Sequence, residues 1–224
     1  MTVVAIWLGW HLNVTRRQKQ LVDRVLNLGG KVQYDHQLSR DARGRNLFDS
    51  TAKPGAPAWL VSILGIHHFQ NVASIDLSNT GAADAELWLI GRVPSIESVS
   101  LTSTKITNEG LRHLASLDRL RYLSLWKTGI DDDGVAYLAG HSHLHTLILD
   151  KTKVSDAGLV HLRDLAELEE WLGLRDTAIT DAGLPNLKNL HKLRNLNVIG
   201  TGVTEAGAKS IQESMPKAMI SLVP

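Results

Sequence analysis

The 224-residue sequence contains no cysteine. Disulfide staples and thiolate zinc sites are therefore excluded, and the redox compartment cannot be read. It also has no hydrophobic run long enough to cross a bilayer: the apolar opening, Met1 to Trp10, is about half of the roughly 20 residues a spanning helix requires. No basic residues precede that opening and no small-residue cleavage site comes after it, so a signal peptide reads poorly. Arg16, Arg17 and Lys19 come soon after, a flank that membrane segments often carry at the lipid surface. Two readings of residues 1–12 stand. They are the last turns of a membrane anchor, which would make this a tethered or cell-envelope protein, or an amphipathic helix tucked against the first coil, which would leave the protein cytoplasmic.

Charge of one sign is scarce as well. The formal net charge is +1, but residues 1–70 carry nine Lys/Arg against four Asp/Glu, and residues 71–224 carry fifteen against nineteen. The longer, acidic part does not offer the clustered positive face that gripping a phosphate backbone requires, so no nucleic-acid partner is expected. No nucleophile elbow, phosphate loop or zinc-protease helix occurs, so neither an enzymatic activity nor a cofactor is expected. With 43% hydrophobic and 21% charged residues, the composition is that of an ordinary globular protein.

What the sequence does contain is a repeat. Thr80, Thr104, Thr128, Thr152, Thr177 and Thr201 succeed one another at intervals of 24, 24, 24, 25 and 24 residues. A period of this size marks a solenoid, whose coils bury their apolar faces only by stacking on neighbours. Each coil opens with an apolar-x-apolar strand, from Ile75 and Leu77 to Leu196 and Val198, with these residues inward and their neighbours outward. The threonine stands three residues after the second of them, where the chain turns and a hydroxyl can satisfy backbone groups leaving the sheet. Helix starts come next: Thr107-Asn108, Asp131-Asp132, Ser155-Asp156, Thr180-Asp181 and Thr204-Glu205, each with glycine two residues on. The first residue of each pair is an N-cap; the second, mostly acidic, faces the positive helix end. The recurring glycine costs about 1 kcal/mol against alanine, which implies close backbone approach between coils. Leu111, Leu114, Leu117 and Leu120 are expected to carry a helix across the core.

Residues 71–224 resemble the bacterial type of leucine-rich repeat, with coils reading Leu-x-x-Leu-x-Leu-x-x-Thr-x-(Val/Ile)-Thr-Asp-x-Gly-Leu. The resemblance implies an α/β fold: a right-handed solenoid with a parallel concave β-sheet and outer helices. It implies no activity, because fold does not give function. Residues 13–70 read as an N-terminal α/β cap. It contains a short amphipathic helix from Gln18 ended by Gly29-Gly30, a strand at Lys31–Asp35, a polar loop over 36–57 and a proline-led helix over 57–65.

Some coils depart from the pattern. The first has Ala83 and Glu86 where later coils have the cap and the glycine. The fifth has one residue too many between Leu168 and Leu172, which should bulge the coil and displace Trp171. The last ends in a strand over 215–224, leaving an open sheet edge.

The outward strand positions change along the array. Coils one and two offer Asp76, Ser78, Ser98, Ser100 and Thr102, all small or polar. Coils three to five offer Tyr122, Trp126, Lys127, Ile148, Asp150, Lys151, Trp171 and Arg175, and coil six fades to Asn195, Asn197 and Ile199. Large aromatics interspersed with charges match the composition of interface hot spots, so these eight residues are the candidate partner-binding set. The bland alternative is that the aromatics pack on one another or on the N-terminal cap; a cation-π pairing of Arg175 or Lys127 with a tryptophan would fit both readings. His141-Ser-His143-Leu-His145 is the one metal-like cluster, but no carboxylate or thiol completes it and Leu144 takes the inward position, so its histidines read as solvated loop residues. The expectation is a non-catalytic module binding a protein partner through coils three to five, against the alternative of a rigid structural spacer.

Overall fold

The computed structural model describes the backbone of residues 3–40, 46–49, 51–53, 55 and 70–222, and side chains within 13–38, 49, 51–53, 55 and 70–222. The helix expected over 57–65, His67, His68 and the apolar side chains of 1–12 lie outside the described residues.

The chain begins with α1, Val3–Asn27, one helix of 25 residues. The short helix expected from Gln18 is its second half, because residues 11–27 hold neither glycine nor proline to interrupt it. Gly29, at φ +79°, ends it. Gln18, Leu21, Val22 and Val25 make one buried stripe at helical spacing. No helix among the described residues is long and apolar enough to cross a membrane.

After α1 comes β1, Lys31–Tyr34, which pairs antiparallel with β4, Val72–Asp76. The expected loop between them contains a small hairpin, β2 at Leu38–Arg40 with β3 at Asn46–Phe48. Three-residue strands carry too few positions for a period-two signal, which is why the sequence concealed them. From β4 the sheet continues in parallel through β5 (Ser98–Ser100), β6 (Tyr122–Ser124), β7 (Thr146–Ile148), β8 (Trp171–Gly173), β9 (Asn195–Asn197) and β10 (Met219–Ser221). β10 pairs only with β9 among the described strands, and Met219 is 70% exposed there.

All the inward positions are buried: Ile75 and Leu77, Val99 and Leu101, Leu123 and Leu125, and so on to Leu196 and Val198. Each such side chain is worth about 1.5–3 kcal/mol against exposure. The threonine row behaves as the spacing predicts. Each Oγ1 donates to the carbonyl three residues back, from Thr80 to Leu77 (2.7 Å) through Thr152 to Leu149 (2.5 Å) to Thr201 to Val198 (2.6 Å).

Opposite the sheet the helical pieces are shorter than the leucine spacing suggested. They are α2 (Asp84–Ile90), α3 (Asn108–Leu111), α4 (Asp132–Ala136), α5 (Asp156–Leu159) and α6 (Glu205–Gln212). Leu111 belongs to α3, Leu114 to a 3₁₀ turn after it, and Leu117 and Leu120 to irregular backbone, yet all four are fully buried.

The acid after the cap stands in the first turn as expected in α2, α4 and α5, and in four coils it also has a second role. Its carboxylate reaches forward to the next coil: Asp84 Oδ1 accepts the Thr107 N–H (2.8 Å) and Oδ2 its hydroxyl (2.7 Å). Asp132 does the same to Ser155 (2.7 and 2.5 Å), Asp156 to Thr180 and Asp181 to Thr204. The glycines explain themselves here. A β-carbon at Gly158 would run into Asp132 Oδ1, and Gly110, Gly183 and Gly207 face Asp84, Asp156 and Asp181 in the same way. The close approach between coils is of carboxylate to backbone, not backbone to backbone. In the first coil Glu86 occupies the glycine position, accepts the Ala83 N–H (2.7 Å) and binds Arg24 of α1 (2.7 Å), which locks the cap to the array.

Candidate functional site

The register of the sheet sorts its outward side chains into rows. Ser98, Tyr122, Thr146 and Trp171 stand side by side, as do Ser100, Ser124, Ile148, Gly173 and Asn197. A third row, just past the strands, is joined by backbone bonds between coils: Leu125 N–H to Ile148 O and Lys127 N–H to Asp150 O place Trp126 beside Asp150, and Lys151 N–H to Arg175 O places Asp150 beside Arg175. Trp171 therefore keeps its place in the sheet. The extra residue of coil five is absorbed before the strand, where Glu169 and Glu170 N–H both approach His145 O, so it does not displace the tryptophan.

Lys127 and Lys151 lie one step further on, in the left-handed region at φ +55°, as do Asn79, Ser103 and Asp176. They are turn residues, not strand residues. A lysine there costs roughly 1–2 kcal/mol relative to glycine. The cost is offset by inter-coil hydrogen bonds such as Lys127 N–H to Asp150 O (2.9 Å) and Lys151 N–H to Arg175 O (2.8 Å).

Six of the eight candidate residues come together. Tyr122, Trp126, Ile148, Asp150, Lys151 and Arg175 line an open depression of about 430 Å³, completed by Thr102, Ser124 and Asn197. Lys127 and Trp171 do not line it, although Trp171 Nε1 lies 3.1 Å from where a β-carbon of Gly173 would stand. Trp126 is 41% and Trp171 37% exposed, whereas Tyr122 is half-buried. No ring contact joins these three aromatics among the described residues, so they do not pack on one another. Among the described residues a cation lies over an indole elsewhere: Arg92 sits 4.3 Å above Trp88 on α2. Arg175 instead pairs with Asp176 (3.2 Å), which Lys151 also approaches (3.8 Å).

Asp150 is the main correction to the outward set, since it is only 7% exposed. Its Oδ1 accepts the Arg175 backbone N–H at 2.9 Å. Burial pushes its carboxyl above the ordinary range, against the lowering effect of that hydrogen bond. Burial also raises the Tyr122 phenol, against the lowering effect of its hydrogen bond with Ser124. Sequence reasoning missed Gly173 and undervalued Asn197. Gly173 was legible as a glycine in an outward strand position, a sign of close approach by another group. Asn197 could have been found only from the register that brings coil six against coil five.

The histidine cluster also needs correction. His141 is buried, not solvated, with Nδ1 3.2 Å from Leu138 O and Nε2 3.0 Å from Leu114 O. It is a bridge between two coils. His143 is exposed and His145 half-buried, and no group of three or more metal-ligating side chains occurs among the described residues.

Comparison with known proteins agrees with this geometry. A family model described as "Leucine Rich repeat" matches residues 94–115. Among solved structures the chain is similar to an internalin C2 of Listeria monocytogenes, with 27% identity, covering 61% of this chain and 55% of that one, at a TM-score of 0.51. An internalin F of the same species gives 20% identity, 60% and 36% coverage and a TM-score of 0.52. The chain thus spans about half the length of the first and about a third of the second. No curated protein matches it. The chain has the α/β solenoid fold of leucine-rich repeat proteins.

Proposed function

We propose that this leucine-rich repeat chain is a non-catalytic module that binds a protein partner on the outward sheet face of coils three to five. One observation carries the reading: two indoles remain more than a third exposed on that face, Trp126 at the rim of the depression and Trp171 beside it, in the same coils where the face turns from small and polar to large and mixed. Aromatic anchors around a partly desolvated centre, with charged residues at the margin, are how protein interfaces concentrate binding energy. Ser98, Ser100 and Thr102 leave the first coils without such an anchor.

Affinity capture from extracts of the source cell tests it, with soluble and membrane fractions kept apart. The baits are wild type and Trp126→Ala/Trp171→Ala, the variant first shown by circular dichroism to be folded. A protein retained by wild type and lost by the variant supports the reading. Identical retention by both baits, or retention of nothing, overturns it and puts the rigid-spacer reading ahead.

A further inference from the structure

Asp150 on this face carries a charge that the fold does not need. The Arg175 N–H requires an acceptor, and in the equivalent turns of coils one and six that acceptor comes from two residues back: Asp76 Oδ1 takes the Ser78 N–H (2.9 Å) and Asn197 Oδ1 the Ile199 N–H (3.2 Å). In coil five that position is Gly173, which has no side chain, and Asp150 reaches across from coil four to supply the bond. Gly173 also makes the room, since a β-carbon there would meet Asp150 Oδ2 and stand 2.9 Å from its Cγ. The amide of Asn197 does this kind of work without a charge, so an asparagine at 150 would suffice.

The charge is also unpaired. No ion pair joins Asp150 to a described residue, although Lys151 and Arg175 are its neighbours; both turn to Asp176 Oδ2 instead, at 3.8 and 3.2 Å. A carboxylate nine-tenths buried is costly when its only support is the more distant attraction of Arg175 and a long hydrogen bond from Asn197 Nδ2 (3.4 Å), with no direct ion pair. It lines an open depression together with Trp126 and Tyr122. A carboxylate beside aromatic residues, open on one side, is complementary to a cation that arrives from outside.

We propose that Asp150 receives a basic side chain of the protein partner, a lysine ammonium or an arginine guanidinium seated against Trp126. The inference rests on the binding reading above and names the chemistry of its central contact. The cation supplies the direct ion pair that Lys151 and Arg175, turned to Asp176, do not form with Asp150, and the aromatic wall excludes water from the pair.

The test uses three small probes, the N-acetyl methylamides of arginine, lysine and citrulline, the last being the uncharged near-isostere of arginine. The indole N–H resonances of Trp126 and Trp171, assigned from Trp→Phe variants, report binding, and that of Trp88 serves as the control on the helical side. Expected is saturable movement of the Trp126 resonance with the two cations, about fivefold tighter than with citrulline, and no movement at Trp88. Asp150→Asn, which keeps the acceptor for Arg175, should reduce the cations to the level of citrulline, with its fold checked by thermal unfolding. Equal affinity for arginine and citrulline, cation binding unchanged in Asp150→Asn, or no movement at Trp126 with any probe overturns the proposal. Failure of this contact is distinguishable from failure of the binding surface: a captured partner that survives Asp150→Asn but not the double tryptophan variant removes the first and keeps the second.

Discussion

The two sides of the array obey different rules. On the helical side one arrangement recurs: an acid grips the next cap and a glycine admits it, as with Asp84 and Gly110, Asp132 and Gly158, Asp156 and Gly183, Asp181 and Gly207, while Asn108 does the same with its amide toward Asp131 and Gly134. On the sheet side the rows vary along the array, from Ser100 and Ser124 to Ile148, Gly173 and Asn197. The physical reason is the neighbour. A residue packed between two copies of the same coil must fit the same surroundings each time, whereas a residue facing outward is free of that constraint and can be fitted to something else.

The largest effects are expected where the helical side is disturbed. Gly158→Val should lose more than about 4 kcal/mol in denaturant unfolding, because the side chain must displace Asp132 and stands against Val154. Asp132→Ala removes the two acceptors of Ser155 and should cost about 1–3 kcal/mol. In the Asp132→Ala background the milder Gly158→Ala should become nearly neutral, since the oxygen it would strike is gone; strict additivity of the two changes would contradict the clamp.

The sheet side should yield little stability and much binding. Asp150→Asn is expected to lie within about 1 kcal/mol of wild type, on the stabilising side at neutral pH, because it removes a buried charge and keeps the Arg175 acceptor. The sign comes from the raised carboxyl: the folded state binds this proton more tightly than the unfolded chain, so wild type loses stability as pH rises from the ordinary carboxylate range through the folded value. The advantage of the variant should therefore grow over that window and vanish below it, which thermal unfolding across pH can track. Trp126→Ala should change stability least, by about 0.5 kcal/mol, as expected for a side chain that is 41% exposed. A large loss there would mean that the indole is structural.

Legibility in the sequence divides along the same line. The threonine row, the inward leucines and the need for glycine were all legible, because stacking enforces them at a fixed period. The partner of each glycine was not, since Asp132 lies 26 residues before Gly158 and only the coil register brings them together. On the sheet face the aromatics were legible as a set, but Asp150 read as an exposed charge because alternation says nothing of a side chain that leans into the space left by Gly173. His141 misled for a related reason: its loop is polar, and its two ring nitrogens face backbone carbonyls that a sequence does not display.

The most direct test places one photoreactive residue, p-benzoylphenylalanine, at position 126 in one protein and at position 88 in another. Both are exposed tryptophans in the wild type, 41% and 44% respectively, one on the sheet side and one on the helical side. Irradiation in extract of the source cell, with mass spectrometry of the adducts, compares the two sides at equal exposure. A discrete protein adduct from position 126 that is absent from position 88 is the predicted result. Adducts from position 88 alone, or the same adducts from both, would place the binding surface away from the sheet face and contradict the account.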